Sequence, residues 1–228
     1  MGRVYTIYPK KKKLGFTLSI NTIFILINII AFFIFLVLLS SNVISLDSVA
    51  IKPSNILQGK YLWTFLTSMF MHGGFFHLFV NMISLFFIGG LTQKIIGKRR
   101  YLWFYLLSGI FAGLFFVLLT FLFPSDLNAY AVGASGALFG VAGLLVLLTP
   151  NIPVYVMFIP IPIKMKYAIP GILIVLWLIS VAPMAFGGEN IPIGNTAHLG
   201  GLIAGLAYGF YLRYKFPKKT KWIRNHFR

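Results

Sequence analysis

Gly133-Ala134-Ser135-Gly136 heads the run Ala137-Leu138-Phe139-Gly140-Val141-Ala142-Gly143-Leu144-Leu145-Val146-Leu147-Leu148-Thr149, and the reading of this stretch decides the fold. A serine among glycines at the head of an apolar helix is either a packing residue or a nucleophile. It can be a nucleophile only if a base enters the membrane from the same side. Ala197-His198-Leu199-Gly200-Gly201 heads a second glycine-bearing apolar run and supplies such a base. Membrane topology separates the two readings.

Of the 228 residues 59% are hydrophobic and 10% charged, whereas soluble domains carry about a quarter charged residues. The chain therefore reads as an all-α polytopic membrane protein of one domain. Six spans can be drawn, at residues 18–39, 76–96, 101–123, 135–149, 168–186 and 196–214. The domain expectation is a basic N-terminus over 1–17, a six-helix transmembrane domain over 18–214 and a basic tail over 215–228. The first apolar run follows basic residues as a signal peptide does, but it is long and has no convincing small-residue cleavage site, so it is read as a retained helix.

A net charge of +17 would ordinarily raise nucleic acid as a partner. Here the charges sit in short clusters beside apolar runs, which fits membrane orientation and anionic headgroups at the cytoplasmic face and argues against nucleic acid. Eighteen of the 20 Lys and Arg fall on one side of the six-span drawing, the exceptions being Lys52 and Lys60. Asp47, Asp126 and Glu189, the only acids, fall on the other. Both termini are then expected to be cytoplasmic, because loops rich in Lys and Arg stay on that side. The absence of cysteine excludes disulfides, thiolate metal sites and a cysteine nucleophile.

The first outer loop, 41–75, contains the apolar segment 61–74, too short to span and too apolar for water. It is expected to be embedded in the outer part of the membrane, with Trp63 as an interfacial anchor. Prolines at 150, 153, 160, 162 and 170 mark a loop between the fourth and fifth spans, with Pro170 near the start of the fifth, and 184–195 reads as a mobile outer loop.

With both ends inside, the even-numbered spans all begin at the outer face. His77 and Asn81 on the second span, Ser135 on the fourth and His198 on the sixth therefore converge at one depth. The fourth span rises only about 22 Å, which sets Ser135 about 8 Å below the outer edge of a 30 Å core. Non-helical backbone must then enter the membrane before Ser135, which is tolerated only beside protein or a water-filled cavity. Gly136 and Gly140 on the fourth span, and Gly201, Gly205 and Gly209 on the sixth, form smooth faces that permit close approach.

Serine needs an adjacent base to act as a nucleophile, and His198 is placed to be that base. His77 and Asn81, at i and i+4, share a helix face and can donate to an oxyanion beside the Ser135 backbone N–H. No carboxylate lies near His198 in sequence, so the chemistry reads as a Ser/His dyad rather than a triad. No Asp lies within a span and no His-Glu-x-x-His occurs, which removes aspartyl and zinc peptidase chemistry. No metal or cofactor is expected. His72 reads as a residue that fixes its loop, His226 as part of a solvated tail, and Phe139 as a ring that can stack on His198.

The motifs His72-x4-His77-x3-Asn81, Gly133-Ala134-Ser135-Gly136 and Ala197-His198-x2-Gly201-x3-Gly205 resemble, in order and spacing, those of the rhomboid family of intramembrane serine proteases. The resemblance covers about residues 63–211. It implies a rhomboid-like bundle, with a minimal six-helix core of the prokaryotic type set in a prokaryotic cell membrane. It further implies Ser135 as nucleophile, His198 as base, His77 and Asn81 as oxyanion donors, and transmembrane proteins as substrates that enter beside the fifth span. Two departures concern structure: Thr64 follows Trp63 where many members carry arginine, and Gln93 stands where a glutamate is often found. The expected function is intramembrane serine endopeptidase. The alternative is a non-catalytic rhomboid-like protein that binds membrane proteins or thins the bilayer. A channel is disfavoured because the ionisable groups of the spans lie only near the outer end. Neither oligomeric state nor natural substrate is legible in the sequence.

Overall fold

The computed structural model describes residues 18–156, 160–182 and 194–227. The expected N-terminal segment 1–17 and residues 184–193 of the expected mobile loop lie outside the described residues.

The chain is an all-α polytopic membrane bundle. Helix α1 (Ile20–Ser40) starts where the Ser19 hydroxyl accepts the Thr22 N–H at 3.0 Å, satisfying one of the amides that a helix start leaves unpaired. The first loop folds as a short turn, α2 (Pro53–Leu57) and α3 (Thr64–Thr67). Helices α4 (Phe75–Ser84) and α5 (Gly90–Ile96) form one span, joined through a π-helical turn at Leu85–Gly89. Then come α6 (Lys98–Leu119), a 3-10 turn at Pro124–Asn128, α7 (Ser135–Leu148), α8 (Met165–Val181), α9 (Asn195–Lys215) and α10 (Pro217–His226).

The π turn has a cause in another helix. The Asn21 side-chain amide of α1 donates to the Leu85 carbonyl at 2.9 Å, and a side chain inserted into the helical ladder is a recognised origin of such irregularities. Tyr101 Oη donates to Asn21 Oδ1 at 2.6 Å, so α1, the second span and α6 meet at one buried polar knot. Gln93 completes it, its Oε1 accepting the Asn21 backbone N–H at 2.9 Å. The residue that departs from the family's usual glutamate thus retains an acceptor at the first turn of α1.

Helix α7 is apolar on every side and is accordingly the most enclosed element, with Ala137, Leu138, Gly140, Val141, Ala142, Gly143, Leu144, Leu145 and Leu148 all buried. It packs against α6, α8 and α9, and its C-terminal part is also touched by α10. Large apolar side chains point outward around the bundle, among them Ile30, Phe86, Trp103 and Trp177, as a lipid-facing surface requires.

Two segments hold more order than the sequence implied. The proline-punctuated connection after α7 contains a two-stranded antiparallel hairpin, β1 (Pro153–Val154) with β2 (Ile163–Lys164). Proline tolerates this because an edge strand needs no donor on its outer side. Pro170 lies inside α8 rather than at its start. The basic tail forms α10, whose Thr220 and Ile223 are buried while Lys218, Lys219 and Lys221 face outward. Ile223 joins the hydrophobic core of the bundle, and Phe216 packs against it.

Candidate active site

Ser135 is the first residue of α7, and the chain reaches it along an extended segment held by the first loop. Ile51 and Ala131 exchange backbone hydrogen bonds at 3.1 and 2.9 Å, and the Gly133 N–H donates to the Ser68 carbonyl at 2.8 Å. Gly133 has φ +110°, a conformation side chains avoid, and a Cβ there would lie 2.8 Å from the His77 ring. Glycine is required by both space and backbone. The first helical bond of α7 runs from the Leu138 N–H to the Ala134 carbonyl at 3.0 Å, so the amides of Ser135, Gly136 and Ala137 open the helix without intrahelical partners.

Helix α9 brings His198 to the same end of the bundle. It starts after Gly194, which adopts the left-handed conformation at φ +68°. A Cβ on Gly201 would collide with the Gly136 carbonyl, and one on Gly205 with the Gly140 carbonyl. This helix pair approaches backbone to backbone, as small residues at membrane helix contacts permit. His198 Nε2 stands 2.8 Å from Ser135 Oγ. The His198 ring is buried and stacks on Phe139, with centroids 4.6 Å apart and 29° between planes. Its Nδ1 has no hydrogen-bond partner among the described residues.

His77 faces the same space from α4. The Gly73 N–H donates to His77 Nδ1 at 3.4 Å, which in a neutral ring leaves the proton on Nε2, the edge turned to Gly133. Asn81 is buried one turn further along, and its amide donates to the His77 carbonyl at 2.9 Å. The structure therefore brings Ser135, His198 and His77 together around one space, with the Asn81 amide nitrogen 3.7 Å from where a Cβ on Gly133 would lie. His72, buried in the loop, contacts the His77 ring edge to face at 5.2 Å.

A cavity of about 210 Å³ lies between these groups, lined by Ser135, His198, His77, Gly133, Gly136 and Tyr130 among others. At about 30 Å³ per water molecule it has room for several. Tyr130 is tethered from outside, its hydroxyl donating to Asp47 at 2.6 Å, with Lys52 3.7 Å from the same carboxylate. That bond holds the Asp47 carboxyl below its ordinary value, with Lys52 adding to the effect. The role of Ser68 and the Asp47–Tyr130 tie were not foreseen from sequence, because both are contacts between distant segments that carry no local pattern. Trp63 anchors the loop through its indole N–H, which donates to the Ser48 carbonyl at 2.8 Å. Thr64 is fully buried, with its hydroxyl donating to the Tyr61 carbonyl at 2.7 Å.

Comparison with known proteins bears on this arrangement. Residues 59–215 match the Rhomboid domain family. RHOMBOID-like protein 5 of Arabidopsis thaliana is 32% identical over 176 residues, covering 77% of this chain and 52% of that protein. Rhomboid protease GluP of Bacillus subtilis (strain 168) is 28% identical over 166 residues, 73% of this chain and 29% of its own length. Inactive RHOMBOID-like protein 8 of Arabidopsis thaliana is 36% identical over 88 residues, 39% of this chain and 23% of its own length. The chain spans about half the length, or less, of the curated relatives it matches. With the helical bundle, the motif order and a match over most of its length, the chain belongs to the rhomboid family.

Proposed function

We propose that this protein is a serine-type endopeptidase that hydrolyses peptide bonds in or near the transmembrane segments of other proteins. The observation that carries the reading is the 2.8 Å approach of Ser135 Oγ to His198 Nε2 at the wall of a cavity. In this mechanism His198 Nε2 accepts the Ser135 hydroxyl proton as Oγ attacks the substrate carbonyl carbon. The negative charge that develops on the carbonyl oxygen is met by the Ser135 backbone N–H, His77 Nε2–H and the Asn81 amide. His198 then gives its proton to the leaving amine, and water repeats the sequence on the acyl-enzyme, restoring Ser135.

Transfer to Nε2 requires the neutral His198 ring to carry its proton on Nδ1, where no carboxylate is available among the described residues. The Phe139 ring orients the imidazole instead. A dyad without an orienting acid gives slow turnover, since loss of that acid costs a serine protease a factor of about 10⁴. Residues 18–214 carry the activity in this reading. The basic segments 1–17 and 215–228 are cytoplasmic, the cavity opens to the outer face, and the bilayer is a prokaryotic cell membrane.

Purified protein is tested with a panel of single-span substrates and a fluorophosphonate probe. Labelling and cleavage that both vanish in Ser135→Ala and His198→Ala support the peptidase. Intact cleavage in either folded variant removes the dyad. Absence of both in the unaltered protein favours the non-catalytic alternative, for which the inactive relative is a precedent.

A further inference from the structure

We propose that the groove between α6 and α9 is a binding site for one anionic phospholipid, separate from the candidate active site. The groove has a volume of about 600 Å³ and is lined by Arg99, Arg100, Trp103, Leu107, Phe111 and Tyr208, among others. Its residues are distributed by chemistry along the helix axis. The two guanidinium groups stand at the mouth, where α6 begins. Trp103, Leu107 and Phe111 follow at every fourth position, one face of the helix, and all three are exposed. From Arg99 to Phe111 the helix rises about 18 Å, so a charged mouth leads into a long apolar trough that ends inside the bilayer.

Among the described residues no acid compensates the charge at the mouth. The chain has three acids: Asp47 and Asp126 lie in the loops at the opposite end of α6, and Glu189 is outside the described residues. The one salt bridge among the described residues joins Lys52 to Asp47. Arg100 instead lies over an aromatic ring, its guanidinium 5.5 Å from the centroid of Phe216, a contact that uses the face of the guanidinium and none of its N–H donors. A phosphodiester supplies that acceptor, and one acyl chain supplies the apolar surface that the trough lacks. Trp103 and Tyr208 line the same groove as the arginines, and aromatic residues with a polar edge are enriched where a bilayer's headgroups lie. The chemistry of a transmembrane helix gives no reason for two unpaired arginines at the mouth.

The test uses the 228-residue protein in detergent with dioleoylphosphatidylglycerol or dioleoylphosphatidylcholine, read by native mass spectrometry, and is independent of proteolysis. The expected result is preferential retention of one phosphatidylglycerol. Arg99→Gln/Arg100→Gln is expected to weaken that retention roughly thirtyfold, the factor corresponding to about 2 kcal/mol from two arginines near an anionic surface. Leu107→Trp fills the trough while leaving both arginines, and is expected to lower retention of both lipids. It keeps the test open if the arginine variant fails to fold. Lys218→Gln/Lys219→Gln removes equal charge elsewhere and is expected to retain phosphatidylglycerol. Equal retention by the arginine variant and the unaltered protein overturns the proposal, as does an equal loss in the lysine variant. A dimer that Leu107→Trp dissolves, with no difference in lipid, assigns the groove to a second copy and likewise overturns it.

Discussion

Gly201 of α9 lies directly against the carbonyl of Gly136 in α7, with no room for a Cβ between them. The same relationship recurs one turn away between Gly205 and Gly140. Ser135 precedes Gly136 and His198 lies three residues before Gly201, so the approach of the two backbones sets the separation of the two side chains.

Alanine at Gly201 or Gly205 is therefore expected to push α9 from α7. Overpacking of this kind costs about 1–3 kcal/mol, and the 2.8 Å hydrogen bond should open with it. Thermal unfolding in detergent and cleavage should fall together. Gly171→Ala in α8, where a Cβ meets nothing within 4 Å, is the control and should leave the melting temperature unchanged or raise it. A fully active Gly201→Ala variant would remove the close approach as a condition for catalysis.

Phe139 stacks on the His198 ring, and in the proposed mechanism this contact orients the imidazole. Phe139→Ala removes a stacked aromatic contact worth about 0.5–1.5 kcal/mol, which corresponds to a two- to tenfold lower kcat if the ring's orientation is what is lost. Phe139→Tyr keeps the face and should retain most activity. A drop in KM-dependent binding with kcat unchanged would move Phe139 from positioning to substrate contact.

The Asn81 amide donates to the His77 carbonyl at 2.9 Å. As an oxyanion donor it must share or redirect an N–H when the tetrahedral intermediate forms. Asn81→Ala should then lower kcat by about 10²–10³ with little change in KM. Unchanged kcat would leave Asn81 as a packing residue beside His77.

Gln93 ties the second span to the first turn of α1 through a neutral acceptor. Gln93→Ala should destabilise the protein by about 1 kcal/mol, the usual net worth of a hydrogen bond. Gln93→Glu keeps an acceptor and adds negative charge near a helix N-terminus, so its melting temperature should equal or exceed that of the unaltered protein. A Gln93→Glu protein less stable than Gln93→Ala would contradict the capping role.

Tyr130 and Asp47 form a titratable strap across the cavity's rim. The folded-state carboxyl lies below its ordinary value of 3.8, chiefly because of the Tyr130 hydroxyl. A depressed carboxyl contributes stability that is complete above its unfolded value and lost as pH falls through the folded one. Tyr130→Phe should therefore melt at a lower temperature than the unaltered protein near pH 7, with the difference shrinking below about pH 4. A difference independent of pH would show that Tyr130 acts through packing alone.

Six helices, their order and the shared end of Ser135, His77 and His198 were legible because apolar length and glycine period are local properties. The π turn was not, since its cause is Asn21, more than sixty positions before the Leu85 carbonyl it contacts. Nor was α10 legible: its lysines read as a solvated tail, whereas Ile223 enters the core through contacts with segments distant in sequence.

By itself the sequence determined a membrane bundle and the chemistry open to it, because span length and residue type depend only on the chain near each position. Only the tertiary structure decided that Ser135 Oγ and His198 Nε2 stand 2.8 Å apart, with Phe139 behind the ring and Ser68 holding Gly133. Those distances depend on how closely two helix backbones and a loop can pack, which is settled by steric contact between segments far apart in sequence.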